Sequence, residues 1–360
     1  MKILYVYDKM PGIYQNYLLI LSNNIREKLH IKTLTYSKTT TGDFNIHSYG
    51  LLDNIYRLLY KLKLSPHRSM DIKIMNQFNL LHIQHSYLRR KLIPLLKQKN
   101  RPKTIITLRG GDTYMYPWSS EDWRNFYMES GDKIDAFITM SEHQKKYLTR
   151  WGVNESKIHV IPISFGSHSA AKPKYPNQEC LKLVSAFRMT WEKNIEGCIQ
   201  FARMLKDRNI PFIYDIYGAG SDLAELYYLI DRFELTSVIN IKGAIDNEVL
   251  KSKLNEYDFF IQLSISEALP TSVLEAQAAG LPCVVSNSDG LPEAVIANET
   301  AIVGEYHNTE FFVDECLRVW NDRDLYFSFS ANAIENANNN FSIEVETERL
   351  ISLYQTLLKD

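Results

Sequence analysis

Short apolar, β-prone runs alternate with helical periodicity along nearly the whole of this 360-residue chain. A strand that is followed by a helix and then by another strand returns most readily as a parallel neighbour. The alternation therefore predicts doubly wound parallel sheets, an α/β class with helices on both faces. The first series of predicted strands is Ile3–Tyr7, Ile31–Tyr36, Leu80–Ile83, Thr104–Leu108, Ala136–Met140 and Ile158–Ile161. The second is Leu181–Ala186, Phe212–Tyr217, Val238–Lys242, Phe259–Leu263, Cys283–Ser286 and Thr300–Val303. Between them Ser167–Glu179, with Ala-Ala-Lys-Pro-Lys-Tyr-Pro-Asn, reads as a linker. The expected organisation is a Rossmann-like domain over 1–166, a linker over 167–179, a second Rossmann-like domain over 180–342 and a C-terminal helix over 343–360. In such sheets ligands are expected at the carboxyl ends of the strands.

Composition narrows the class further. With 45% hydrophobic and 23% charged residues, the chain can build real cores and still be soluble. No apolar stretch approaches the roughly 20 residues that span a bilayer, and the first run is too short and polar for a signal peptide. The four cysteines, Cys180, Cys198, Cys283 and Cys316, show no paired spacing, so free thiols in a reducing cytoplasm are expected.

Net charge is −1, yet residues 1–165 carry 25 Lys+Arg against 13 Asp+Glu, leaving 16 basic and 29 acidic residues beyond. Two basic segments stand out, Arg57–Arg68 and Arg89–Lys103, both interleaved with leucine and isoleucine at near-helical spacing. They read either as solvated helix faces or as interfacial helices on an anionic membrane. No nucleic-acid-binding module accompanies the charge, so a nucleic-acid partner is not expected.

The richest chemical pattern runs from Ser264 to Glu293. It places Glu267 after a strand and Glu275 eight positions later on the following helix, with Pro270 where that helix should begin. Backbone N–H groups around Ala268, Leu269, Thr271 and Ser272 would then face an anion, with the helix dipole assisting, and a diphosphate suits that geometry. After the strand Leu181–Ala186, Arg188 and Lys193 stand five apart across a short loop and can converge on one pyrophosphate.

The Ser264–Glu293 segment resembles the E-x7-E signature of the retaining family 4 glycosyltransferases, and Gly280–Val285 and Asp289–Glu293 resemble that family's continuation. The resemblance implies the GT-B fold, two Rossmann-like domains facing a central cleft. It also implies transfer of a sugar from a nucleoside diphosphate sugar, without a metal or other cofactor. Glu267 would contact the donor hexose and Glu275 the nucleotide ribose, while Arg188 and Lys193 would stabilise the departing diphosphate. Ala268 and Leu269 stand where the family more often has Gly and Phe.

Tyr217-Gly218-Ala219-Gly220 resembles the family's turn in which glycines allow tight packing; it lacks the third glycine of a dinucleotide fingerprint. By the same resemblance Lys242 lies near the nucleobase. Gly12, after the first strand, either lets backbone approach the donor phosphate or simply makes a turn. Arg109-Gly110-Gly111-Asp112 occupies the place of the family's H-G-x-D, with Arg109 instead of histidine, so Arg109 and Asp112 become candidates for positioning acceptor or sugar.

His82 and His85 read as packing or hydrogen-bonding residues. Asp322-Arg323-Asp324 reads as a helix cap rather than a metal site. The expected partners are a nucleoside diphosphate sugar and a glycan acceptor of bacterial surface polysaccharide synthesis, lipid-diphosphate-linked, reached by peripheral attachment to the inner face of the membrane. A nucleotide-sugar epimerase of the same architecture and a non-catalytic sugar-binding subunit remain open at this level.

Overall fold

The computed structural model describes residues 1–9, 16–38 and 42–359. The chain divides into two compact units, 1–162 with 347–360, and 163–346. In the first unit the strands are β1 (Ile3–Tyr7), β2 (Ile31–Thr35), β3 (Phe44–Asn45), β4 (Leu80–Ile83), β5 (Lys103–Thr107), β6 (Ala136–Thr139) and β7 (Ile158–Val160). They form one parallel sheet in the order β3-β2-β1-β4-β5-β6-β7. The second unit contains β8 (Leu181–Ala186), β9 (Phe212–Tyr217), β10 (Ile239–Gly243), β11 (Phe259–Gln262), β12 (Cys283–Ser286) and β13 (Ala301–Gly304). These are also parallel, in the order β10-β9-β8-β11-β12-β13.

Both sheets grow outward from their first strand, then return to its other side and continue. That reversal lies between β1 and β4 in one unit and between β8 and β11 in the other. Loops leaving the two strands at a reversal diverge to opposite faces, which opens a crevice at their carboxyl ends. The central strands read as near-continuous apolar runs because helices cover both faces; every residue of β1, β4, β6, β11 and β12 is buried. Of the thirteen strands among the described residues, only the two-residue β3 lacked a sequence signal.

The division between units differs from the expected one. It falls at Pro162/Ile163, and residues 167–179 lie against the second unit instead of forming a free linker. Ser169 N–H donates to Asn338 Oδ1 (2.8 Å), Lys174 N–H to Ser330 Oγ (3.1 Å) and Asn177 N–H to Asp258 Oδ1 (2.9 Å). The last helix, Ile343–Lys359, begins in the second unit and from Thr347 belongs to the first. Its Tyr354 is fully buried there, its hydroxyl 2.7 Å from Tyr5 Oη and 2.6 Å from His82 Nδ1. His82 Nε2 lies 2.6 Å from Thr107 Oγ1, and burial holds the imidazole down to about 3, with Arg109 adding to the effect. His82 is thus a neutral core residue that helps tie the final helix to β1, β4 and β5.

Tyr354→Phe leaves His82 Nδ1 and the Tyr5 hydroxyl each short of a buried partner. It should destabilise the first unit by about 1–3 kcal/mol, read as a lower urea midpoint for the full chain; an unchanged midpoint would show the network to be dispensable.

Candidate active site

At the reversal of the second sheet, the loop after β8 is fixed by the loop after β9. Phe187 N–H donates to Tyr217 O (3.2 Å) and Met189 N–H to Ala219 O (3.1 Å). This approach needs glycine: a Cβ on Gly218, whose φ is +133°, would lie 1.9 Å from Phe187 O, and one on Gly220 would lie 2.0 Å from Met189 O. Between the two buried anchors Phe187 and Met189, Arg188 projects outward, its Nη2 donating to Glu192 Oε1 at 2.9 Å. A short turn over Trp191–Lys193 ends at Asn194, which adopts φ +53°. The Asn194 side chain caps the helix Ile195–Asp207 through Gly197 N–H (3.1 Å) and donates to Leu263 O (2.9 Å), joining the β8 loop to the end of β11.

That join brings Lys193 and Glu267, 74 positions apart, into a direct ion pair. The same Glu267 oxygen accepts from Gln262 Nε2 (2.6 Å) and Ser264 Oγ (3.1 Å), so three groups orient one carboxylate. Gln262 Oε1 in turn accepts from Ser272 Oγ (3.1 Å). The Glu267 carbonyl accepts Gly290 N–H (2.9 Å), which gives the Asp289–Glu293 segment a supporting task.

The helix Thr271–Ala278 starts one residue later than expected, with Pro270 at the N-cap. Proline offers no side-chain cap, so the first-turn N–H groups of Thr271, Ser272 and Val273 receive no acceptor from the N-cap side chain. Ala268, Leu269 and Pro270 are buried behind that start. Glu275 is 7% exposed and accepts from Asn247 Nδ2 at 2.9 Å. Burial pushes its carboxyl up to about 7, against the pull of the Asn247 hydrogen bond and the Lys251 charge.

Other sequence candidates fall elsewhere. Lys242 Nζ pairs with Asp215 Oδ2 (3.3 Å), a carboxylate that also accepts from Asn240 Nδ2 (2.8 Å) and Tyr257 Oη (2.8 Å). Its ammonium is engaged on the sheet rather than with the Glu267 cluster. Gly12 lies outside the described residues.

In the first unit, Arg109 Nη2 donates to Gln84 Oε1 (3.2 Å) and its guanidinium lies over the Tyr17 ring (5.5 Å). Asp112 is 1% exposed, and its carboxylate accepts Arg109 N–H (2.9 Å), Gly110 N–H (3.1 Å) and Ser86 Oγ (2.7 Å). Asp112 therefore shapes the loop that carries Arg109. His85 Nδ1 is 3.8 Å from the same carboxylate. Asp322 caps the helix Arg323–Phe341 through Leu325 N–H (3.0 Å). Asn247, Gln262 and Ser264 were not singled out in the sequence; only the polar pair Gln262 and Ser264 at a buried strand end offered a signal.

Comparison with known proteins adds the class. Residues 170–339 match the family model of glycosyl transferases group 1, and residues 29–163 match that of glycosyltransferase family 4. The putative colanic acid biosynthesis glycosyltransferase WcaL of Escherichia coli (strain K12) is 26% identical over 255 residues, covering 66% of this chain and 62% of that protein. Its counterpart in Salmonella typhimurium is 28% identical over 211 residues, covering 56% and 50%. The chain thus matches about half to three-fifths of the length of these relatives. The solved structure of Anabaena HepE in complex with UDP and glucose covers 99% of this chain and 100% of its own, with a TM-score of 0.75 at 13% identity. Two parallel α/β units, these neighbours and both matched segments define the architecture as that of a GT-B glycosyltransferase.

Because the native carboxyl of Glu275 binds its proton more tightly than an ordinary glutamate at 4.5, folding stability falls as pH rises from about 4.5 to about 7. The loss amounts to about 3 kcal/mol. Glu275→Gln keeps the shape and removes the charge, so it should flatten stability across that window in urea titrations at several pH values. An unaltered pH slope would place the proton elsewhere.

Proposed function

We propose that the chain transfers a sugar from a nucleoside diphosphate donor to a glycan acceptor with retention at the anomeric carbon. One observation carries this reading: Lys193, Glu267 and the uncapped start of the helix Thr271–Ala278 come together at the reversal of the second sheet. The diphosphate rests on the N–H groups of Thr271, Ser272 and Val273, with Arg188 and Lys193 as its cationic partners. Glu275 accepts hydrogen bonds from ribose hydroxyls, and Glu267 meets the donor hexose.

In the reaction, the bond from the anomeric carbon to the diphosphate oxygen breaks and its electron pair leaves with the diphosphate. Arg188, Lys193 and the helix start stabilise that charge, so the scheme assigns no part of the neutralisation to a metal. The acceptor hydroxyl attacks from the face the leaving group vacates, and its proton passes to the departing phosphate oxygen. No protein nucleophile enters the scheme.

The acceptor we favour is a lipid-diphosphate-linked glycan of bacterial surface polysaccharide synthesis, met at the cytoplasmic face of a membrane. The colanic acid proteins among the relatives and the basic first segment of the chain support it.

A panel of nucleoside diphosphates and their sugars, read by thermal shift, should reveal at least one that raises the melting temperature by mass action. With that donor and a membrane lipid extract, Glu267→Ala and Lys193→Ala should each lower transfer about 100-fold or more. Unchanged turnover would overturn the site, and an epimerised donor without transfer would replace the reaction with epimerisation.

A further inference from the structure

The two basic segments part ways in the structure. The helix Arg89–Leu96 turns Leu92, Leu95 and Leu96 into the core of the first unit. On it Arg89 and Arg90 both pair with Asp122 and the Lys91 ammonium lies over the Tyr36 ring (5.3 Å); beyond the helix Arg101 and Lys103 pair with Asp135, while Lys97 and Lys99 stay exposed. That segment is an ordinary structural helix, not an interfacial one.

The helix Gly50–Lys61 has no buried residue. It holds to its unit through half-buried Asp53, Tyr56 and Leu59; Asp53 accepts Met70 N–H (2.8 Å), and the Tyr56 hydroxyl meets Lys73 Nζ. At ~100° per residue, positions 51, 55, 58 and 62 fall on a single stripe, and these are Leu51, Ile55, Leu58 and Leu62. All four are exposed, Leu51 at 78% and Leu58 at 57%, so the stripe faces away from the protein. The helix ends in a left-handed Lys63 (φ +59°), with Leu64 N–H bonded to Leu59 O (2.8 Å), and this turn leaves Leu64 71% exposed.

Charge surrounds the stripe with one sign. Asp53 is the only acid between residues 50 and 68, and it is turned inward and paired with Arg57 (2.7 Å). Lys61, Lys63 and Arg68 are exposed and enter no ion pair among the described residues. A water-facing apolar ridge with a wholly basic border complements the boundary between acyl chains and anionic headgroups. Among the described residues no helix is long and apolar enough to cross a membrane, so this helix would lie in the interface.

We infer that the helix Gly50–Lys61 and its following turn dock the first unit on an anionic lipid bilayer, with Leu51, Ile55, Leu58, Leu62 and Leu64 inserted and Lys61, Lys63 and Arg68 on the headgroups. This deepens the membrane-borne acceptor proposed above, and its test uses neither donor nor acceptor, so the two readings fail separately.

The full chain should cosediment with vesicles of phosphatidylglycerol and phosphatidylcholine and much less with phosphatidylcholine alone, and rising salt should release it. Ile55→Gln/Leu58→Gln should weaken partitioning about tenfold or more, since each substitution removes inserted methylenes. Lys61→Gln/Lys63→Gln/Arg68→Gln should weaken it about 100-fold at low salt and abolish most of the salt dependence. None of these residues is buried, so unchanged circular dichroism and melting are expected to accompany the losses. Equal binding by all variants, or no binding to either vesicle, overturns the inference. So does a dimer in sedimentation equilibrium that Ile55→Gln/Leu58→Gln dissociates, because that would give the stripe to a second copy.

Discussion

The backbone of residues 187–189 runs so close to that of 218–220 that either glycine replaced by alanine would drive a methyl carbon into a carbonyl oxygen. From this approach the rest of the candidate site follows. It fixes the anchors on either side of Arg188, the anchored loop ends at Asn194, and Asn194 reaches across to β11. Only then do Lys193 and Glu267 meet. The catalytic chemistry proposed for the site depends on side chains, but their placement depends on two positions that have none.

Much of this was legible in the sequence, for identifiable reasons. Buried parallel strands have few options but aliphatic and aromatic runs, so twelve of the thirteen strands among the described residues could be read from such runs; β3, at an edge and two residues long, carried no such pressure. Glu267 and Glu275 stood out through their place in the Ser264–Glu293 run and its resemblance to a family signature. Their partners were harder to see. Asn247 reaches Glu275 from another helix, and Gln262 meets Glu267 only after the loop has folded back. Long-range polar pairing has no period for a sequence reading to detect.

Lys242 and Asp112 show the opposite limit. Position in a motif said nothing of their protein partners: Lys242 pairs with Asp215, and Asp112 accepts from the backbone N–H groups of its own loop. The two basic segments make the same point at larger scale. Their spacings are alike, but acids at Asp122 and Asp135 lie across from one and no acid lies outward on the other. Whether a charge is free depends on what folds beside it.

The chain crosses between its two units twice, at 162/163 and again at 346/347. Seen along the path of synthesis, the first unit is begun first and finished last. Its sheet can form as the ribosome moves on, yet the hydroxyl that meets Tyr5 and His82 emerges only after the whole second unit has been made. During that interval the Tyr5 hydroxyl and His82 Nδ1 lack the partner that Tyr354 later supplies. The final helix therefore acts as a closing latch, and newly made chains interrupted anywhere in the second half would carry a first unit with its core still open.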